Sequence, residues 1–268
     1  MANAQSGATH GDVAMMLDGL DIIFASLLVG IALLISWRLR LNLGKSIIIA
    51  SIRTIVQLSF VGLILAWVFA QESSIQVLSI LSVMTLIASH AVSKRIKKPY
   101  RGLFLDTVLS LAVATTLVVF TAMLLILNIK PWYSPQYIIP IAGLILGNSL
   151  TAVSLTSSQM IDDLHQQSTS IRMMLALSAT PFEACHHIIV KAINHGMMPT
   201  INSMMVVGLV SLPGMMTGQI LAGADPSQAV RYQIITMFFI CTGSALSCTI
   251  ISLLILKRFF NKNNQLIL

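Results

Sequence analysis

The chain has 268 residues, of which 56% are hydrophobic and only 9% charged, with a net charge of +7. A soluble domain carries about 25% charged residues, so this chain cannot clothe its surface for water, and the excess apolar surface must meet lipid. The composition predicts an all-α, polytopic transmembrane helix bundle with short loops, and it excludes a separate soluble domain.

Residues 1–19 are polar and lack a basic start, which argues against a cleaved signal peptide. They are expected as an extracytoplasmic tail. Seven stretches then have the roughly 20 mostly apolar residues that a crossing needs: 20–37, 46–70, 75–92, 103–127, 137–160, 200–223 and 232–256. Five crossings fall within 20–160, a long connection within 161–199, two more crossings within 200–256, and a tail within 257–268. Charge orients them. The loops at 37–46, 93–102 and 161–199, together with the tail, hold thirteen of the sixteen Lys and Arg residues. In a seven-crossing arrangement these all lie on one side, and the positive-inside rule makes that side cytoplasmic. The N-terminus is then outside and the C-terminus inside. The positive charge suits an anionic leaflet and gives no reason to invoke nucleic acid. The three cysteines, Cys185, Cys241 and Cys248, imply no disulfide framework.

The connection at 161–199 is patterned. Thr180 can cap a helix whose first position is Pro181, and Glu183 can close a capping box. Phe182, Ile189 and Ile193 recur on one helical face, His195-Gly196 supplies a stop, and Pro199 opens the next crossing. Met173, Met174 and Leu175 make an apolar half of the segment before it. Two short amphipathic helices lying on the membrane, or a docking surface for a cytoplasmic partner, account equally for this pattern.

Within the crossings, Gly143 and Gly147 form a GxxxG, and Gly214, Gly218 and Ala222 extend a second stripe that would let helices approach closely, within one chain or across a dimer. Polar residues in lipid are costly and informative. Arg53, Thr54 and Gln57 share a face, and Arg53 can pair with Asp106 to hold the bundle together. Gln57, Asn148, Asn202 and Gln219, with Met215 and Met216, are the candidates for a polar or thioether-lined path.

Three apparent chemistries are weak on their own terms. Gly44-Lys45-Ser46 resembles the end of a phosphate-binding loop, but the position of that loop's first glycine holds Leu39. Gly147-Asn148-Ser149 suggests an intramembrane serine hydrolase, with His90 as the available span histidine. A serine beside Asn148 is more often a packing residue. Cys185, His186, His187 and His195 could ligate a metal, yet adjacent histidines point to different faces of a helix.

The run from Asn202 through Ser211-Leu212-Pro213-Gly214-Met215-Met216-Thr217-Gly218-Gln219 to Gly223 resembles the signature of the FetB-type permeases. These are membrane subunits of a bacterial ABC transporter linked to iron export, with plant relatives linked to aluminium tolerance. Ser51-Ile52-Arg53-Thr54-Ile55-Val56-Gln57-Leu58, Gly147-Asn148-Ser149 and Ala179-Thr180-Pro181-Phe182-Glu183-Ala184 agree in order, and the resemblance covers roughly 20–260.

The resemblance implies a permease without an ATPase of its own. It would bind no cofactor, pair with a cytoplasmic ABC ATPase subunit that consumes ATP, and associate with a second copy of itself in the cell inner membrane. Arg172, Thr180, Pro181, Phe182, Glu183 and Ala184 become the expected coupling residues. Glu183-Ala184-Cys185 resembles the EAA motif of ABC importers, although Ile189 stands where that motif has glycine. An ion-coupled secondary transporter is the alternative reading, and an intramembrane hydrolase a more distant one.

Overall fold

The computed structural model describes residues 19–41, 43–71, 73–261 and 263–267. Of the tail expected at 1–19, residues 1–18 lie outside them, and Gly19 opens the first helix. The described residues are nearly all helical and contain no strand. Two isolated bridges pair Val207 with Ser211 and Phe260 with Leu266.

The chain divides into two compact units. The first comprises residues 1–71 and 218–225. Here α1 (Gly19–Arg38) and α2 (Gly44–Gln71) are joined by a tight turn. In that turn the Leu43 amide donates to Ser36 Oγ at 3.2 Å. Phe24, Leu28 and Trp37 on α1, and Leu58, Phe60 and Leu63 on α2, stand exposed. Such surface is stable only against hydrocarbon or another apolar face. Ser51, Thr54 and Ser59 donate their hydroxyls to carbonyls four residues earlier, which satisfies them without water.

The second unit holds residues 72–217 and 226–268. It contains α3 (Ser74–Arg95), α4 (Leu103–Thr121) with a π-helical turn at Ala122–Ile126, α5 (Pro135–Gln166), α6 (Ser168–Ala176), α7 (Pro181–Val206), the start of α8 (Gly214–Leu221), and α9 (Pro226–Phe259). Helix α5 is central and packs on α3, α4, α7 and α9. Ile145, Met160, Ile161 and Leu164 along it are enclosed. The closest approaches use glycine. A Cβ at Gly196 of α7 would lie 2.6 Å from the Ala152 carbonyl oxygen, and one at Gly243 of α9 would lie 2.6 Å from Ile145 Cγ2.

Among the described residues, five helices are long and apolar enough to cross a membrane: the Gly44–Leu65 part of α2, α3, Leu103–Ile126, α5 and α9. Helix α1 supplies a shorter apolar segment, Phe24–Arg38. The stretch 200–223 is not one helix. Helix α7 runs through His195-Gly196 and Pro199 without stopping and ends at Val206. Gly196 serves close packing against α5, and Pro199 removes only one ladder donor. The break comes later, at 207–213. There Gly208 adopts φ 84, and Pro213 disfavours helical geometry at Leu212.

Two further expectations change. Asp106 takes Arg258 rather than Arg53: Arg258 Nε and Nη2 donate to its carboxylate at 3.0 and 3.1 Å, and Tyr100 OH donates at 2.9 Å. Arg53 is exposed on α2. Among the described residues, the glycine stripes are not where the close contacts occur. A Cβ at Gly147, Gly214 or Gly218 would meet nothing described within 4 Å, and one at Gly143 only Met84 Cε at 3.4 Å. The signal missed was that helices meet where a glycine faces a backbone or a branched side chain, wherever the GxxxG spacing falls.

Candidate functional site

Breaking a helix frees backbone groups. The amides that would continue the α7 ladder bond elsewhere, Gly208 N–H to the Ser211 carbonyl at 2.9 Å and Leu209 N–H to the Val206 carbonyl at 3.2 Å. The carbonyls of Met204 and Met205 thereby lose their ladder partners. Within a membrane such backbone is tolerated where it lines a cavity, and a cavity of about 260 Å³ lies at this break, between α5, α7 and α9. Asn148, Thr200, Ser203, Met215, Gln233 and Thr236 contribute to its wall, with Leu144, Met237 and Ile240 as apolar panels.

Among the described residues, no ionisable side chain lines it. Asn148 Nδ2 donates to the Leu144 carbonyl at 2.8 Å, so its Oδ1 must point the other way. Thr236 donates to the Tyr232 carbonyl at 2.8 Å, which leaves its oxygen lone pairs as acceptors. Gln233 is only 8% exposed, and its Oε1 has no hydrogen-bond partner.

Of the path residues expected from sequence, Asn148 and Met215 meet in this wall, together with Gly214. Asn202 is exposed on α7 and outside the wall, Met216 and Gln219 are half-buried on α8, and Gln57 is exposed on α2. Sequence reasoning missed Thr200, Ser203, Gln233 and Thr236. The signal was present in part: Gln233, Thr236, Met237 and Ile240 stand at i, i+3, i+4 and i+7, one helical face.

At the basic end of the same unit, the expected capping box is formed. Thr180 Oγ1 accepts from the Glu183 amide at 3.3 Å, and Glu183 Oε2 accepts from the Thr180 amide at 2.8 Å. That backbone donor, followed by the Thr180 hydroxyl, holds the Glu183 carboxyl below its ordinary range. Pro181 occupies the first turn and Ala184 is enclosed. Phe182 does not share the buried face of Ile189: it is 48% exposed, with its ring 5.5 Å from His186. The face that packs is Cys185, Ile188 and Ala192. Arg172 and Thr180 line a groove with Asn263 and Gln265 of the tail. The tail folds back there through the Asn261 amide donating to the Gln265 carbonyl at 3.1 Å. Asp163 of α5 receives Lys191 Nζ of α7 at 3.0 Å and Gln159 Nε2 at 2.9 Å.

The other candidates separate. His187 Nε2 is 2.7 Å from Gln167 Oε1 and Cys185 is buried. No group of three or more His, Cys, Asp or Glu able to hold a metal occurs among the described residues. Ser149 is enclosed and its hydroxyl has no hydrogen-bond partner among the described residues, so His90, exposed on α3, is not bonded to it.

The profile of the family described as Uncharacterised protein family (UPF0014) matches residues 19–260. A UPF0014 membrane protein of Synechocystis is 40% identical over 94% of this chain and 97% of its own length. The Probable iron export permease protein FetB of Escherichia coli is 35% identical over 92% of this chain and 94% of its own. The Protein ALUMINUM SENSITIVE 3 of Arabidopsis thaliana is 33% identical over 90% and 87%. No solved structure matches the fold. Similarity of this extent runs through the break, the cavity helices and the capped helix alike, and it makes the chain a member of the UPF0014 family of membrane proteins.

Proposed function

We propose that this chain is the membrane-spanning permease subunit of an ABC transporter that exports iron or a related metal across the cytoplasmic membrane. The observation that carries the reading is the full-length similarity to FetB. In this reading α7 and α8 make one broken crossing, so that seven crossings put the N-terminus outside and the basic loops inside. The permease does no chemistry of its own. A separate ATPase subunit docks on the basic end at Arg172, Thr180, Phe182 and Glu183, beside the exposed Met173 and Leu177. Two copies pair so that the exposed apolar faces find partners or lipid.

Movement would pass along α7. This helix starts at the capped, exposed end and finishes at the cavity, so a push at Thr180-Pro181 displaces the break where Thr200 and Ser203 sit. The Lys191–Asp163 contact couples the same motion to α5.

The test is co-purification with an ABC ATPase from the same organism, followed by ATP-dependent uptake of Fe²⁺ into inside-out vesicles. Flux without ATP, driven by a proton or sodium gradient, would overturn the reading. It would favour the ion-coupled transporter, for which a helix broken beside a cavity is also a recurrent feature.

A further inference from the structure

The cavity at the α7–α8 break poses a problem for metal transport. A divalent ion stripped of water is held best by imidazole, carboxylate or thiolate ligands, and among the described residues the wall offers only amide, hydroxyl and thioether groups. We propose that the cavity takes a divalent cation with its first hydration shell intact, gripping the water ligands rather than the metal. This rests on the export reading above and names its substrate as the hydrated ion.

Size agrees. A water occupies about 30 Å³ of liquid volume, so an octahedral shell of about six waters fills roughly 180 Å³ of the 260 Å³ present. Polarity agrees as well. A hydrated cation presents only O–H donors outward, and the wall offers acceptors. Gln233 Oε1 is buried without a donor. Asn148 Oδ1 is left free by the Nδ2 contact to Leu144. The hydroxyls of Thr200, Ser203 and Thr236 complete the set. The carbonyl end of α7, where Met204 and Met205 have lost their ladder donors, carries a negative partial charge. The first turn of α8 at Gly214 opposes this field. The Gln233 oxygen, enclosed in the wall without a donor, gains one when its side chain turns toward the ion, and this favours a donor-covered cation over an anion.

Cobalt(III) hexaammine is the probe. It has the size and outward N–H donors of a hydrated ion, and its ligands do not exchange. With the intact permease–ATPase complex in inside-out vesicles, hexaammine should compete with Fe²⁺ for ATP-driven uptake. Gln233→Leu should weaken that competition roughly tenfold, the loss of one hydrogen bond to a charged ligand. Asn148→Leu should do the same, and Gln233→Asn should keep part of it. Size-exclusion profiles identify any variant that fails to fold. Uptake of Fe²⁺ that is indifferent to a large excess of hexaammine overturns the proposal, as does equal inhibition in wild type and Gln233→Leu. If wild type moves no Fe²⁺, the export reading fails by itself. Direct binding of hexaammine to the detergent-purified complex then decides the cavity separately: binding weakened by Gln233→Leu supports it, and absent or unchanged binding overturns it.

Discussion

Arg258 grips Asp106 with two nitrogens, at 3.0 and 3.1 Å, but the two partners are buried unequally: the arginine side chain is 48% exposed and the aspartate 6%. The contact ties the end of α9 to the start of α4. Gly102 beside it has φ 105, and a Cβ there would lie 3.2 Å from the guanidinium carbon.

That inequality predicts an asymmetry between single variants. Arg258→Ala strands a buried carboxylate, which costs at least the roughly 1–3 kcal/mol of an unpaired buried group. Asp106→Asn leaves an arginine that can turn to water, and the amide keeps the Tyr100 hydroxyl as a partner. Thermal inactivation in detergent should therefore fall further for Arg258→Ala than for Asp106→Asn. Equal losses would mean that the pair, rather than the stranded carboxylate, sets the cost. Tyr100 adds a pH dependence. Burial first, and its bond to Asp106 second, raise its pKa above the ordinary value near 10. A raised acid is stabilising below the unfolded pKa, so this contribution is intact at neutral pH and is lost as pH climbs above about 10. Tyr100→Phe should flatten the alkaline limb of a stability profile.

The contrast between Gly196 and Gly147 is the second test. Both sit in helices of the same bundle, but only Gly196 abuts a backbone carbonyl across the helix crossing. Gly196→Ala forces α7 away from Ala152 of α5, and overpacking of this kind costs about 1–3 kcal/mol. Gly147→Ala meets open space and should leave the midpoint of detergent unfolding unchanged. If Gly147→Ala instead breaks up a dimer on native gels, the GxxxG belongs to an interface between copies.

The helical, lipid-facing character was legible because it depends on composition and on runs of about 20 apolar residues, which are local quantities. The capping box was legible for the same reason: Thr180, Pro181 and Glu183 lie within four positions. The break was not. Hydropathy does not fall across Val207, Leu209, Val210 and Leu212, so the stretch reads as continuous. Only Gly208 and Pro213 mark the interruption, and both occur in unbroken membrane helices too. The cavity was half legible. Asn148 stands out in its crossing, whereas Thr200, Ser203 and Gln233 lie near the ends of apolar runs and pass for boundary residues. The partner of Asp106 is 152 positions away, and no spacing rule reaches that far.

The Thr180–Glu183 box yields a third prediction, with opposite pH sense. Hydrogen bonds from Thr180 lower the Glu183 pKa below its ordinary value of 4.5. A depressed carboxylate stabilises above the unfolded pKa and loses that contribution as pH falls through its folded value. The first turn of α7 should fray in acid, below the ordinary glutamate value of 4.5, seen as faster amide exchange at 182–184. Thr180→Ala should produce the same fraying at neutral pH, costing about 1 kcal/mol locally. Its effect on transport separates two roles. ATPase association that survives while metal flux drops identifies a lever, and loss of association identifies a docking contact. Unchanged association and flux in Thr180→Ala combined with Glu183→Ala would remove coupling from this segment.

Cys185 supplies a reporter for movement of that lever. It follows the capped turn directly, yet it is enclosed against α5, and burial pushes its thiol up to about 11. At pH 7 about one molecule in ten thousand is then thiolate, the nucleophilic form. In a variant retaining Cys185 as its only cysteine, maleimide labelling should be negligible in the resting transporter and complete after denaturation. Adding the ATPase with a non-hydrolysable ATP analogue should raise the labelling rate if α7 tilts away from α5, because exposure restores both access and an ordinary thiol pKa. A rate unchanged by nucleotide, in a complex that still transports, would show that α7 and α5 move together as one body, and would shift the hinge to the break at 207–213.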